Sequence, residues 1–207
     1  GNVHIALYGW QPLAVMILWS LAVEEQFYFV WPLLVWFSDK NVLTRLAWSI
    51  LLGVSVVRAI VALTFDYPAT YVLTVCRLDS LVAGAGLALL LFQPELEAKV
   101  TNICRRLVPF ALLAVLLTMI VPFSPSLPQT RPWLFSVFGY SWLALTFTIL
   151  VGASIYPEGI LKRFLTNPVM IFLGQRCYGL YLWHVLTAGG VIIILRPFDA
   201  GYYTHIS

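Results

Sequence analysis

Two adjacent carboxylates and an amide, Glu24, Glu25 and Gln26, interrupt the run Leu18-Trp19-Ser20-Leu21-Ala22-Val23-Glu24-Glu25-Gln26-Phe27-Tyr28-Phe29-Val30-Trp31-Pro32, which is otherwise fit for a lipid bilayer. An ionised acid in hydrocarbon costs several kcal/mol, so such residues face a bundle interior or a watery cavity and mark functional sites. On a helix Ser20, Glu24, Tyr28 and Trp31 share one stripe, while Glu25 projects about 100° away. Glu24 is therefore expected in a cavity, with Glu25 orienting a neighbouring helix. Pro32 removes a backbone donor and frees the Tyr28 carbonyl near the acids, which predicts a kink. A second charged group, Arg77 and Asp79 in Cys76-Arg77-Leu78-Asp79-Ser80, suits either a structural ion pair or a contact to substrate or phosphate. A third polar stretch is Tyr178-Gly179-Leu180-Tyr181-Leu182-Trp183-His184. Its i−3 spacing puts the Tyr181 phenol on the face of His184, which reads either as a satisfied core histidine or as a polar cavity residue. The aromatic stripe Phe27, Tyr28, Trp31 reads as packing before sugar stacking. Acids, an arginine and phenols at membrane depth can move protons and stabilise charge; no G-x-S-x-G motif or metal cluster accompanies them.

The elements that must hold these groups are helices. Of 207 residues 61% are hydrophobic and 10% charged, with a mean hydropathy of +0.90, against roughly a quarter charged in soluble domains. Residues 10–37, 46–65, 69–92, 108–121, 133–155 and 177–195 read as membrane segments, making an all-α polytopic bundle with about six transmembrane helices. The first is either one tilted helix or a short re-entrant piece followed by a helix from near Trp19; the second reading, with Ser20 close to the helix start, is preferred. Arg58 lies near the far end of the second, where it is expected to snorkel to the interface. The string Ala83-Gly84-Ala85-Gly86 predicts close helix packing. Residues 93–107 read as a solvated loop or short surface helix, and 157–168 as an interfacial one. Cys76, Cys104 and Cys177, odd in number and widely spaced, read as small apolar fillers.

Charge sets orientation. Lys40, Arg45, Lys99, Arg105, Arg106, Lys162 and Arg163 fall in alternate connections, while the opposite ones and the tail carry Arg131 and Arg196 only. The positive-inside rule makes the first set cytoplasmic. The formal charge of +3 thus reports membrane topology and excludes a nucleic-acid partner. Glu24 and Arg77, both in the outer half on parallel helices, are expected to meet at one cavity.

Three stretches together resemble the acyltransferase-3 family of membrane-bound O-acyltransferases. They are Trp19-Ser20-Leu21-Ala22-Val23-Glu24-Glu25-Gln26-Phe27-Tyr28 with Trp31-Pro32; Arg77-Leu78-Asp79-Ser80-Leu81 with Gly84; and Gly174 followed by Cys177-Tyr178-Gly179-Leu180-Tyr181-Leu182-Trp183-His184. The resemblance implies a fold of roughly ten spans, with residues 1–207 as one transmembrane acyltransferase domain, the C-terminal part of a longer protein. It implies acyl-CoA, typically acetyl-CoA, as donor substrate with no bound cofactor. The acceptor would be a hydroxyl of an envelope glycan or lipid-linked sugar, such as lipopolysaccharide, exopolysaccharide or peptidoglycan, at the inner membrane. Glu24, Glu25, Arg77, Asp79, Tyr178 and His184 would support catalysis, and Trp19, Gln26, Tyr28 and Tyr181 would contact substrate. The family's proposed catalytic histidine would lie upstream, leaving this chain inactive alone; His4, His184 and His205 match no such motif. One departure is Cys177-Tyr178, preceded by Arg176, where the family usually has Ser-Tyr. Direct transfer without an acyl-enzyme is the simpler mechanism. The competing class is a transporter or proton relay through Glu24, Glu25, Arg77 and Asp79.

Overall fold

In hydrocarbon every backbone N–H and C=O must find its partner within its own segment, so apolar runs of this length fold as helices. A computed structural model describes residues 2–8, 13–65, 69–120, 135–155 and 159–199, and among these there is no strand. The elements are α1 (Asn2–Tyr8), α2 (Leu13–Phe37), α3 (Lys40–Thr64), α4 (Ala69–Val72), a 3-10 turn (Thr74–Cys76), α5 (Leu78–Leu91), α6 (Pro94–Ile120), a π-helical turn (Phe135–Gly139), α7 (Tyr140–Ser154), α8 (Ile160–Leu165) and α9 (Pro168–Asp199). The 122–128 turn, Trp10, Arg131, Trp133, Pro157, Glu158 and His205 lie outside the described residues.

The chain divides into two compact units, Gly1–Arg163 and Phe164–Ser207. In the first, α5 packs between α3 and α7, and α6 runs along α7. Among the described residues three stretches are long and apolar enough to cross a membrane, Lys40–Thr64, Pro94–Thr118 and Ser136–Ser154, with Leu78–Leu91 a shorter apolar helix. Leu52, Leu63, Phe110 and Leu116 face outward uncovered, as side chains that meet lipid do. The chain is an all-α membrane protein. The second unit is built on the 32-residue α9.

Four sequence expectations change. α2 runs unbroken from Leu13 through Trp19 and Pro32 to Phe37, so there is no re-entrant piece ending near Trp19. Residues 69–92 are not one span: α4, the 3-10 turn and α5 follow in succession, and the break puts Arg77 between two helical pieces. Conversely, the polar stretch 93–107 continues into 108–121 as the single 27-residue helix α6, since Pro109 is tolerated where neighbouring helices cover the lost bond. The closest helix approach does not use the Ala83–Gly86 string. A Cβ added at Gly84 would meet nothing within 4 Å and one at Gly86 would lie an ordinary 4.0 Å from the Ala47 Cβ, whereas a Cβ on Gly152 would lie 2.6 Å from the Cys104 sulfur. Cys76 and Cys104 are buried as expected, but Cys177 is exposed on α9.

Candidate active site

The buried face of α3 carries Ala47, Val54, Arg58 and Val61, which recur at helical spacing. Arg58 therefore points inward with the core residues and does not snorkel. It is fully buried, as is Asp79. Its Nη2 donates to Asp79 Oδ2 at 2.9 Å and also to Ser141 Oγ, its Nη1 to the Cys76 carbonyl at 3.0 Å, and its Nε to the Val137 carbonyl at 2.9 Å. The last acceptor belongs to the π-helical turn, a form found mostly as single turns and frequently at functional sites. Asp79 is equally satisfied. Oδ2 also accepts from the Ser141 hydroxyl at 2.6 Å, Oδ1 accepts from the Ser80 N–H at 2.9 Å, and the carboxylate sits in the first turn of α5, where the helix dipole favours negative charge. Such full pairing is what makes a buried ion pair tolerable.

Two residues before Asp79, Arg77 has a different environment. It closes the 3-10 turn and precedes α5, and its guanidinium lies 4.5 Å from the ring centroid of Tyr140, 5.3 Å from that of Tyr71 and 5.8 Å from that of Trp19. The rings support one another, with centroids 4.7 Å apart for Trp19 and Tyr71 and 5.8 Å for Tyr71 and Tyr140. Among the described residues no carboxylate forms an ion pair with Arg77. Its charge is held by aromatic faces, beside a cavity of about 380 Å³ that it lines with Ser80, Gly84, Tyr140, Phe147 and Thr148. The Ser80 hydroxyl donates to the Arg77 carbonyl at 2.7 Å. Arg58 grips both flanks of this residue, through the Cys76 carbonyl on one side and Asp79 on the other.

Glu24 and Arg77 form no ion pair. Glu24 is half-buried and Glu25 exposed, neither forms an ion pair with a described residue, and neither lines the Arg77 cavity. The Arg77–Asp79 pairing is replaced by Arg58–Asp79: Arg77 lies between the 3-10 turn and α5 and rests on aromatic rings, while Asp79, in the first turn of α5, is taken by Arg58. Trp19 does reach Arg77. Gln26 belongs to a polar clasp: its Oε1 accepts from the Thr74 hydroxyl at 2.6 Å, Asn2 donates to Thr74 Oγ1 at 2.7 Å, and Gln26 Nε2 donates to Asn2 Oδ1 at 3.4 Å. Tyr28 is exposed, while Phe27 stacks on Trp31 with centroids 5.2 Å apart. Tyr178, Tyr181 and His184 lie on α9, in the second unit; His184 Nδ1 approaches the Tyr181 carbonyl and its ring leans on that of Tyr181 at 5.1 Å. Arg176 lies over the Phe172 ring at 3.9 Å.

Tyr71, Tyr140 and Ser141 were not singled out from the sequence, and Arg58 was read only as an interfacial cation. For Arg58 a signal existed: counted in steps of three and four it falls on the stripe of Ala47, Val54 and Val61. For Tyr140 and Ser141 there was none, since nothing in a run of aromatic and small residues says which of them faces an arginine.

The buried Arg58–Asp79 pair and the ring-held Arg77 beside a cavity form one charged cluster within this helical membrane protein. The acyltransferase-3 family, described as an acyltransferase domain, matches residues 2–204, and the chain belongs to it. Two relatives, each named O-acetyltransferase OatA, from Staphylococcus aureus strains NCTC 8325 and COL, are each 26% identical over 176 residues, or 81% of this chain. The chain spans 28% of the length of those relatives. No solved structure matches it.

Proposed function

We propose that this chain is part of a membrane O-acyltransferase that moves an acyl group, acetyl in the simplest case, from acyl-CoA to a hydroxyl of an envelope carbohydrate at the inner membrane. The observation that carries the reading is Arg77: a half-buried, ring-held cation without a carboxylate partner among the described residues, beside a cavity of about 380 Å³. Acyl transfer to an alcohol develops negative charge on the carbonyl oxygen, and a preoriented guanidinium at a water-poor site is suited to stabilise it. Arg58 and Asp79 act as positioning residues that fix the backbone on either side of Arg77. Among the described residues the cavity lining includes no histidine and no carboxylate, and we assign the group that accepts the hydroxyl proton to another part of the full enzyme. The curated relatives' names support acetyl as the group transferred.

Against a proton relay stands the fate of its parts. Asp79 is neutralised by Arg58, and Glu24 and Glu25 have no ionic contact with the other members of such a chain. The test is transfer of labelled acetyl from acetyl-CoA to candidate glycans by the full-length protein in detergent or nanodiscs. Arg77→Ala should abolish turnover while the protein still purifies as a folded monodisperse species. Unchanged turnover in that variant would remove Arg77 from the mechanism.

A further inference from the structure

A second cavity, of about 230 Å³, opens between the first half of α3, the second half of α5, the first half of α6 and the latter part of α7. Trp48, Leu51, Leu90, Ile103, Leu107 and Leu145 make most of its wall, which is almost entirely apolar. An enclosed apolar space of roughly 150 Å³ is already enough to take up a small hydrocarbon. A pantetheine arm would bring amide groups into this space and leave them without partners, which costs free energy; an alkyl chain would not.

Two lysines stand one helical turn beyond the lining. Lys40 stands one turn before the lining residue Thr44 on α3, and Lys99 one turn before Ile103 on α6, so both project at the same end of the bundle on the stripes that form the groove. Neither lysine forms an ion pair among the described residues, although Asp39, Glu95 and Glu97 lie nearby. Arg45 and Arg105 flank them, the first donating to the Asn41 carbonyl and the second to the Asn102 side chain. Loop charge assigns this end to the cytoplasmic leaflet, where anionic lipids attract basic residues near the surface.

We infer that this groove is a binding site for one acyl chain of an anionic glycerophospholipid, whose headgroup phosphate is held by Lys40 and Lys99. The site is separate from the Arg77 cavity, although Leu87 and Thr148 line both, so a chain seated in the groove supports one wall of that cavity. The inference does not depend on the reaction that the enzyme performs.

Native mass spectrometry of the full-length protein with equimolar phosphatidylglycerol and phosphatidylcholine tests it. Phosphatidylglycerol should be retained in preference. Replacing Lys40 and Lys99 together by Gln should lower that preference about thirtyfold at low salt. Gly86→Leu, which fills the groove, should remove retained lipid of both kinds; Ile103→Trp, a change at a partly exposed wall position, should do the same if the glycine variant fails to fold. Equal retention of the two lipids by the unaltered protein would overturn the proposal. So would displacement of the retained phosphatidylglycerol by stoichiometric acyl-CoA, which would give the groove to the donor.

Discussion

Arg58 and Arg77 are nineteen positions apart in the chain and share Tyr140, whose ring centroid is 5.6 Å from one guanidinium and 4.5 Å from the other. They are nonetheless opposite solutions to placing a cation in a membrane. Arg58 has given four of its five N–H donors to a carboxylate, a hydroxyl and two carbonyls, and its side chain is fully buried. Arg77 rests on ring faces, which balance charge weakly and direct no hydrogen bond, so its donors stay available at a cavity. The lesson is that depth in the membrane does not by itself identify a functional charge: what decides is whether the protein has already satisfied it.

The comparison breaks most visibly at the saturated pair. Arg58→Ala or Asp79→Ala leaves an uncompensated buried charge, and each should destabilise the protein by about 3–5 kcal/mol, read as a fall in the midpoint of thermal unfolding in detergent. Arg58→Met combined with Asp79→Leu should recover most of that loss; a double variant as unstable as the sum of the singles would mean that the two residues are not one unit.

A packing change outside both sites sharpens the contrast. Gly152→Ala forces a methyl against Cys104 and should cost about 1–3 kcal/mol, partly restored by adding Cys104→Ala, with turnover per folded molecule unchanged. Arg77→Ala should show the reverse pattern. Loss of the ring contacts costs about 1–2 kcal/mol, yet acetyl transfer by the full-length enzyme should disappear. A midpoint drop as large as that of Arg58→Ala would show that the rings and Arg77 are a second structural pair.

The smallest effect is expected between Glu24 and Arg77. Since they do not pair, Glu24→Gln and Arg77→Gln should change unfolding free energy additively to within about 0.5 kcal/mol. Measurable coupling in that double-mutant cycle would restore a shared site.

Much was legible from residue order alone. Apolar runs with few charges had to become membrane helices, because hydrocarbon leaves the backbone no other partner, and the three motif stretches led to the family later matched over residues 2–204. Arg77 was legible too, as a charge that needed a reason to be there. Its partners were not. Hydropathy sees 69–92 as one apolar run, since a 3-10 turn inside such a run changes no residue type; yet that turn breaks the run just before Arg77, which rests on rings, and leaves Asp79 in the first turn of α5 against Arg58. Likewise Arg58 looked terminal in a segment counted from Leu46, whereas the helix begins at Lys40 and buries Arg58 against Val137, Cys76 and Ser141. Sequence determined the solvent, the helices and the inventory of charges. Which charges cancel and which remain for chemistry depended on contacts between residues 18 to 83 positions apart, and only the packed bundle brings those together.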